Sequence, residues 1–204
     1  ILNLPLDSTD ADILLPSIKF GIQVGRINPA VLETFSEDDI AQLAKRLQDD
    51  RSANFTYLGL QTLYDRYFLH ENEVRYETAQ TFFMRVAIGH AFDEGRDNTA
   101  DALYRVFNGV AGTDRLVKHT PANQFLNGRE DVGTIEFLDN ALWYICDLYD
   151  AYSQFEYMSS TPTLFNSATI APQMSSCYLS SIPDDLWGIY QGISDDAMLS
   201  KFAG

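Results

Sequence analysis

The chain has 204 residues, 46% of them hydrophobic, which is enough for a sizeable buried core and excludes a disordered segment. Its 29 acidic residues outnumber 14 basic ones, so a formal charge of −15 repels any nucleic-acid backbone, and no Lys/Arg cluster makes a local exception. No apolar run approaches the length of about 18 residues that a membrane-crossing helix needs.

Residues 1 to 12 carry Pro5, Ser8, Thr9 and aspartates, and read as an extended lead-in. The apolar run Ile13 to Val24 predicts a short helix, ended by Gly25 and the Asn28-Pro29 break. Ser36 followed by Asp39 is a capping pattern for a helix with Ile40, Leu43, Ala44 and Leu47 on one face, closed by Asp49-Asp50-Arg51-Ser52. Leu60, Leu63, Tyr64 and Tyr67 then fall at helical spacing between Leu58 and Leu69. His70 to Glu73 makes a polar turn, and Val74 to Tyr76 a brief strand. From Thr78 to Phe92 a broad apolar stripe of Ala79, Phe82, Phe83, Val86, Ala87 and His90 predicts a further helix, with His90 expected as a core residue and not as a ligand.

Ala100 to Phe107 reads as a short helix, and Gly109 to Gly133, broken by Gly112, Pro121, Asn127 and Gly128, as an irregular surface excursion. A long helix from Thr134 to Tyr152 follows, turning Ile135, Leu138, Leu142, Ile145 and Tyr149 inward. Two cysteines are too few for a disulfide scaffold and suit a reducing cytoplasm. Cys146, inside the apolar pattern of the long helix, is expected as a buried, inert thiol.

The chain is organised around Tyr157 to Gly188, where Ser and Thr residues interleave with Leu164, Phe165, Ile170 and Met174. These apolar residues are expected to sit against a core and make the stretch a rigid polar lining, with the first strands of a second layer near 156 to 165 and 175 to 182. Ser159-Ser160-Thr161-Pro162-Thr163 has two readings. It is a turn in which Pro162 extends Thr161, or a cradle of hydroxyls and backbone N–H groups for phosphate or ribose. Cys177 follows Ser175 and Ser176 where no packing argument asks for sulfur. An accessible thiol there suits redox chemistry better than nucleophilic catalysis, since His70, His90 and His119 lie on segments with no reason to approach it as a base. Asp184 and Asp185 before Leu186 cap a helix or accept hydrogen bonds from a ribose or base, and spacing does not separate the two. No metal ligand is assigned.

Taken together, SSTPTLFNS at 159 to 167, PQMSSC at 172 to 177, DDLWGIY at 184 to 190 and LSKFAG at the end resemble the large (alpha) subunit of class I ribonucleotide reductase. YLGLQTLYDRYFL at 57 to 69 and ETAQTFFMRVAIG at 77 to 89 are similar to the helical segments ahead of that family's barrel. The resemblance implies a mainly α piece: a helical domain over 1 to 155, then the opening of a ten-stranded α/β barrel over 156 to 204. It implies reduction of ribonucleoside diphosphates by thiyl-radical chemistry, with Cys177 as one member of a redox cysteine pair whose partner lies outside this chain. Thr161, Ser176 and Gly204 match substrate-contacting positions. Asp184, Asp185 and Leu186 match the start of the allosteric specificity site for a dNTP or ATP.

The implied partners are the rest of the large subunit, a second alpha subunit, and thioredoxin or glutaredoxin as reductant. The radical comes from a metal-containing small subunit, or from cobalamin in a weaker alternative, and no cofactor is bound by this stretch. The expected setting is cytoplasmic, without a membrane or nucleic-acid polymer. The segment from 95 to 133 is longer than the family's usual link. The start at Ile1 and the stop inside a motif lead us to expect a fragment, inactive alone. The rival reading is a non-catalytic nucleotide-binding or assembly module of a split or degenerate reductase.

Overall fold

A computed structural model of the chain describes residues 7–93, 134–177 and 181–203, with Leu2, Leu4 and Pro5 ahead of them. The short helix expected at 100 to 107, the irregular segment at 109 to 133, His119 and Gly204 lie outside the described residues, as do the side chains of Ile135 and Leu138.

The first helix, α1 (Asp10–Gln23), starts inside the expected lead-in. Thr9 and Asp12 form a capping box, Thr9 accepting from the Asp12 amide while the Asp12 carboxylate accepts from the Thr9 amide at 2.9 Å. A Thr-x-x-Asp cap works as the Ser-x-x-Asp one does, and it places the boundary at Thr9. The helix ends at Gly25, whose φ of 71° is a left-handed stop that costs glycine nothing. A single turn, α2 (Ala30–Thr34), leads to α3 (Glu37–Ala44), opened by the expected Ser36–Asp39 capping box and burying Ile40, Leu43 and Ala44. A 3₁₀ turn spans Asp49–Asn54.

Next come α4 (Tyr57–Arg66) and a hairpin of β1 (His70–Glu71) and β2 (Val74–Arg75), paired antiparallel. Asn72 and Glu73 both have positive φ, the signature of the tight turn whose twist matches a two-stranded ribbon. Of the four residues at helical spacing in α4, only Leu63 is buried, because the helix meets the bundle along one edge and leaves Leu60 and Tyr64 outward.

At the centre lies α5 (Ala79–Asp93). Phe82, Phe83, Met84, Val86, Ala87 and Ile88 are all buried, as are the polar Gln80, Thr81 and Arg85, so the helix is covered on every side. The long helix α6 (Thr134–Ser153) packs along it through Ala141, Ile145, Tyr149 and Tyr152, the Tyr152 ring lying parallel to Phe83 at 5.9 Å. Tyr149 donates to Gln80 Oε1 at 2.7 Å and accepts from the Gln48 amide, tying α6 to α5 and to the chain after α3.

The strand expected at 156 to 165 is instead a helix, α7 (Thr161–Asn166). Ser160 is its extended N-cap and Pro162 sits in the first turn, where a missing N–H breaks no bond. Ser175 to Cys177 form no strand either, and β1 and β2 are the only strands among the described residues. The last helix, α8 (Leu186–Ala203), follows a Pro183 that packs on Gly188.

Two features lock α7 to α5. Arg85 and Glu77, both buried, pair with Arg85 Nε donating at 2.6 Å, and a second guanidinium nitrogen donates to the Ser167 carbonyl at 2.8 Å. Gly89 allows the close approach: a methyl there would sit 2.0 Å from Ser167 Oγ and 2.3 Å from the Ala168 nitrogen. Gly89→Ala is therefore expected to cost about 2–3 kcal/mol as an overpacked contact, read from the urea unfolding midpoint.

Candidate functional site

The locked α7 carries its neighbours with it. Ser167 Oγ donates to the Val86 carbonyl at 2.8 Å, and Ala168 takes a positive φ that turns the chain back across the bundle. The turned segment is stitched to the end of α1, the Asn28 amide donating to the Ala168 carbonyl and the Ile170 amide to the Arg26 carbonyl. Beyond it the chain returns along α7. Thr163 Oγ1 donates to the Met174 carbonyl at 3.0 Å, Asn166 Nδ2 to the Gln173 carbonyl at 2.6 Å, and Gln173 Nε2 to the Ser175 carbonyl at 3.1 Å.

Between these segments lies an open cleft of about 510 Å³. Thr161, Phe165, Asn166 and Gln173 form one wall, and Gly25, Arg26 and Leu69 face them. Its volume is that of a small-molecule site, and its lining is mostly apolar with a few convergent polar groups. Arg26 is the only charged residue of the lining and reaches Glu71 at 3.7 Å.

The residues singled out in the sequence divide in three. Thr161 is exposed at the start of α7 and lines the cleft, its hydroxyl 3.4 Å from that of Tyr67. Ser176 and Cys177 are solvent-exposed and follow directly on the segment pinned to α7, without lining the cleft themselves. Asp184, Asp185 and Leu186 sit at the start of α8, where Asp185 accepts from the Gly188 amide at 2.8 Å as a helix cap.

Of the four interleaved apolar residues only Leu164 is in the core. Phe165 covers Tyr67, Met174 is half-buried and Ile170 is exposed, because the loop lies on the bundle's surface with one face open. The stretch is held by hydrogen bonds more than by burial.

His90 behaves as a core residue. Its Nε2 lies 3.1 Å from the Tyr152 hydroxyl, which in turn bonds Ser159 Oγ, and burial pulls its pKa down from 6.5 to about 4. Cys146 packs against the core's margin, half-buried, and burial pushes its thiol up. No group of three or more His, Cys, Asp or Glu residues is placed to hold a metal among the described residues. Among them, too, no helix is long and apolar enough to cross a membrane.

Tyr67, Tyr152 and the Arg85–Glu77 pair do not stand out in the sequence. Tyr152 and Arg85 sit inside regular helices, Tyr67 at the end of one and Glu77 just ahead of one, and only the three-dimensional packing reveals their partners.

The helices open this cleft beside the Ser-Ser-Thr-Pro start of α7, with an exposed thiol just beyond. The family model described as "Ribonucleotide reductase, all-alpha domain" matches residues 53–170, and the chain belongs to that family, in its large subunit. It is 37% identical over 179 residues to the ribonucleoside-diphosphate reductase subunit alpha of Chlamydia muridarum, covering 88% of this chain and 13% of that protein. With the subunit alpha of Helicobacter pylori strain 26695 the identity is 31% over 181 residues, covering 88% and 17%. With the large subunit of Plasmodium falciparum isolate FCR-3 it is 30% over 190 residues, covering 91% and 21%. The chain thus spans about a fifth or less of the length of the relatives it matches.

Two measurements follow from the geometry. Iodoacetamide at pH 8 is expected to modify exposed Cys177 about tenfold or more faster than Cys146, whose thiolate is disfavoured by burial, as read by peptide mass spectrometry. His90 has a folded pKa below its unfolded one, so the unfolded state takes up the proton first as the pH falls. Its contribution to stability is whole above pH 6.5 and is lost progressively down to about 4, a difference of about 3 kcal/mol. His90→Gln should flatten this part of the stability profile, and the His90 imidazole resonances should not titrate above pH 5.

Proposed function

We propose that this chain supplies the helical domain (1 to 155) and the opening of the catalytic barrel (156 to 204) of a ribonucleoside-diphosphate reductase. In this reading Thr161, Ser176 and Gly204 contact the ribonucleoside diphosphate, and Cys177 is one thiol of the reducing pair. The observation that carries the reading is an exposed Cys177 on the segment that two hydrogen bonds pin along α7, the helix whose first residue is the cleft-lining Thr161.

The chemistry balances as a dithiol reduction. The ribose 2′ C–O bond breaks and the hydroxyl leaves as water, a hydrogen takes its place on the carbon, and the Cys177 thiol and its partner supply the two protons and two electrons required, becoming a disulfide. The partner thiol, the radical-bearing cysteine and the radical generator lie on other parts of the assembly: the rest of the large subunit and a small metal-containing subunit. A cobalamin-dependent generator is the weaker alternative. Thioredoxin or glutaredoxin resets the disulfide.

Asp184, Asp185 and Leu186 belong to the nucleotide specificity site, Asp185 serving at once as ligand and cap. Along α8, Leu186, Trp187, Tyr190 and Ile193 are exposed large apolar residues, an uncovered face that suits pairing with a second alpha subunit. The rival, a nucleotide-binding module without chemistry, keeps Thr161 and Asp184 but has no use for the thiol.

Cys177→Ser in the complete large subunit separates the two. Multiple turnover with thioredoxin is expected to disappear while effector and substrate affinities stay near wild type. Unchanged turnover would leave only the binding module.

A further inference from the structure

The side chain that reaches the Thr161 hydroxyl from behind the cleft is Tyr67, at the end of α4. Its ring has little freedom. It stacks on Phe165, one turn further along α7, with centroids 4.6 Å apart and planes 19° from parallel, and meets Phe82 of α5 edge-on at 6.3 Å. Its backbone is equally fixed, the amide donating to the Leu63 carbonyl at 2.9 Å as the cap of α4. With the ring held by Phe165 on one face and by the edge contact with Phe82, the phenolic oxygen is delivered to one place.

That place matters because Thr161 is exposed. An exposed threonine samples more than one rotamer, and each points the hydroxyl differently. A hydroxyl has one donor and two acceptor directions, so a bond to Tyr67 occupies one of them and biases the others toward the cleft. Tyr67 does not line the cleft, so it acts through Thr161 and not on a ligand. The same stretch is anchored two residues earlier, where Ser159 bonds the buried Tyr152 hydroxyl of α6. Two phenols from two helices thus hold the turn on either side of Ser160.

We propose that Tyr67 is a positioning residue that aims the Thr161 hydroxyl at the ribonucleoside diphosphate bound in this cleft. The inference rests on the reading of Thr161 as a substrate contact. Tyr67→Phe is the clean probe, since it keeps the ring on Phe165 and removes only the oxygen.

The test uses the complete large subunit with its radical-generating partner, carrying Tyr67→Phe, Thr161→Val or both, with ribonucleoside diphosphate as ligand. Tyr67→Phe is expected to raise Kd and KM about three- to tenfold, the factor one modest hydrogen bond supplies, with kcat and Tm near wild type. In the Thr161→Val background it should have no further effect. If Thr161→Val weakens binding but Tyr67→Phe does not, or if the two effects add, the positioning role is overturned and the substrate reading stands. If Thr161→Val leaves binding unchanged, the substrate reading itself fails, and the positioning role with it.

Discussion

The buried pair of Arg85 and Glu77 is the interaction on which the arrangement depends. Removing two charges from water costs several kcal/mol each, and mutual attraction offsets that only when the remaining hydrogen-bonding capacity is also met. Here it is. Arg85 gives two nitrogens to the carboxylate, at 2.6 and 3.3 Å, and a third to the Ser167 carbonyl, while Glu77 Oε2 also accepts from the Leu69 amide at 2.7 Å. The guanidinium lies over the Phe82 ring at 5.3 Å, so its face is covered as well as its edge. Such a pair contributes little net stability, but every partially formed alternative leaves a charge unpaired, and that penalty selects one packing.

The packing selected is the one that makes the cleft. Leu69 and the α7 segment are its opposing walls, and both are bonded to this one ion pair, Leu69 through Glu77 and Ser167 through Arg85. Gly89 then sets how closely the second wall approaches α5, and the stitching of Asn28 and Ile170 to their partners closes the third side. A cleft whose walls hang on a single buried interaction has a width fixed by the core, not by its own side chains.

What could be read from the sequence follows from how local each cause is. Capping at Ser36, the glycine stop at Gly25 and the apolar stripe of α5 are decided within a few residues, and the structure carries them, although α5 is buried beyond that stripe. The Thr9 cap obeyed the same rule but lay in a polar stretch that reads as a lead-in. The strand expected at 156 to 165 fails because Thr161-Pro162 can open a helix as readily as extend a chain, and the choice falls to Arg85, 82 positions away, holding the Ser167 carbonyl. The motif residues Thr161, Ser176, Cys177, Asp184 and Asp185 were visible through family likeness. Their supports, Tyr67, Tyr152 and Glu77, were not, since a tyrosine or glutamate in a helical pattern gives no sign of a partner far along the chain.

The charge of the chain bears on how the cleft could hold an anionic ligand. Fifteen net negative charges act against a diphosphate at long range, yet at physiological ionic strength that field decays over about 8 Å. Inside the cleft the mostly apolar lining carries no acid; its polar groups are Arg26, hydroxyls and amides, and Arg26 pairs with Glu71 at 3.7 Å. A small anion that has crossed the outer field meets hydroxyls, amides and an Arg26 already paired with Glu71, whereas a polymeric nucleic acid remains within the field along its length. The composition that repels a nucleic-acid backbone thus leaves the cleft open to a small anion.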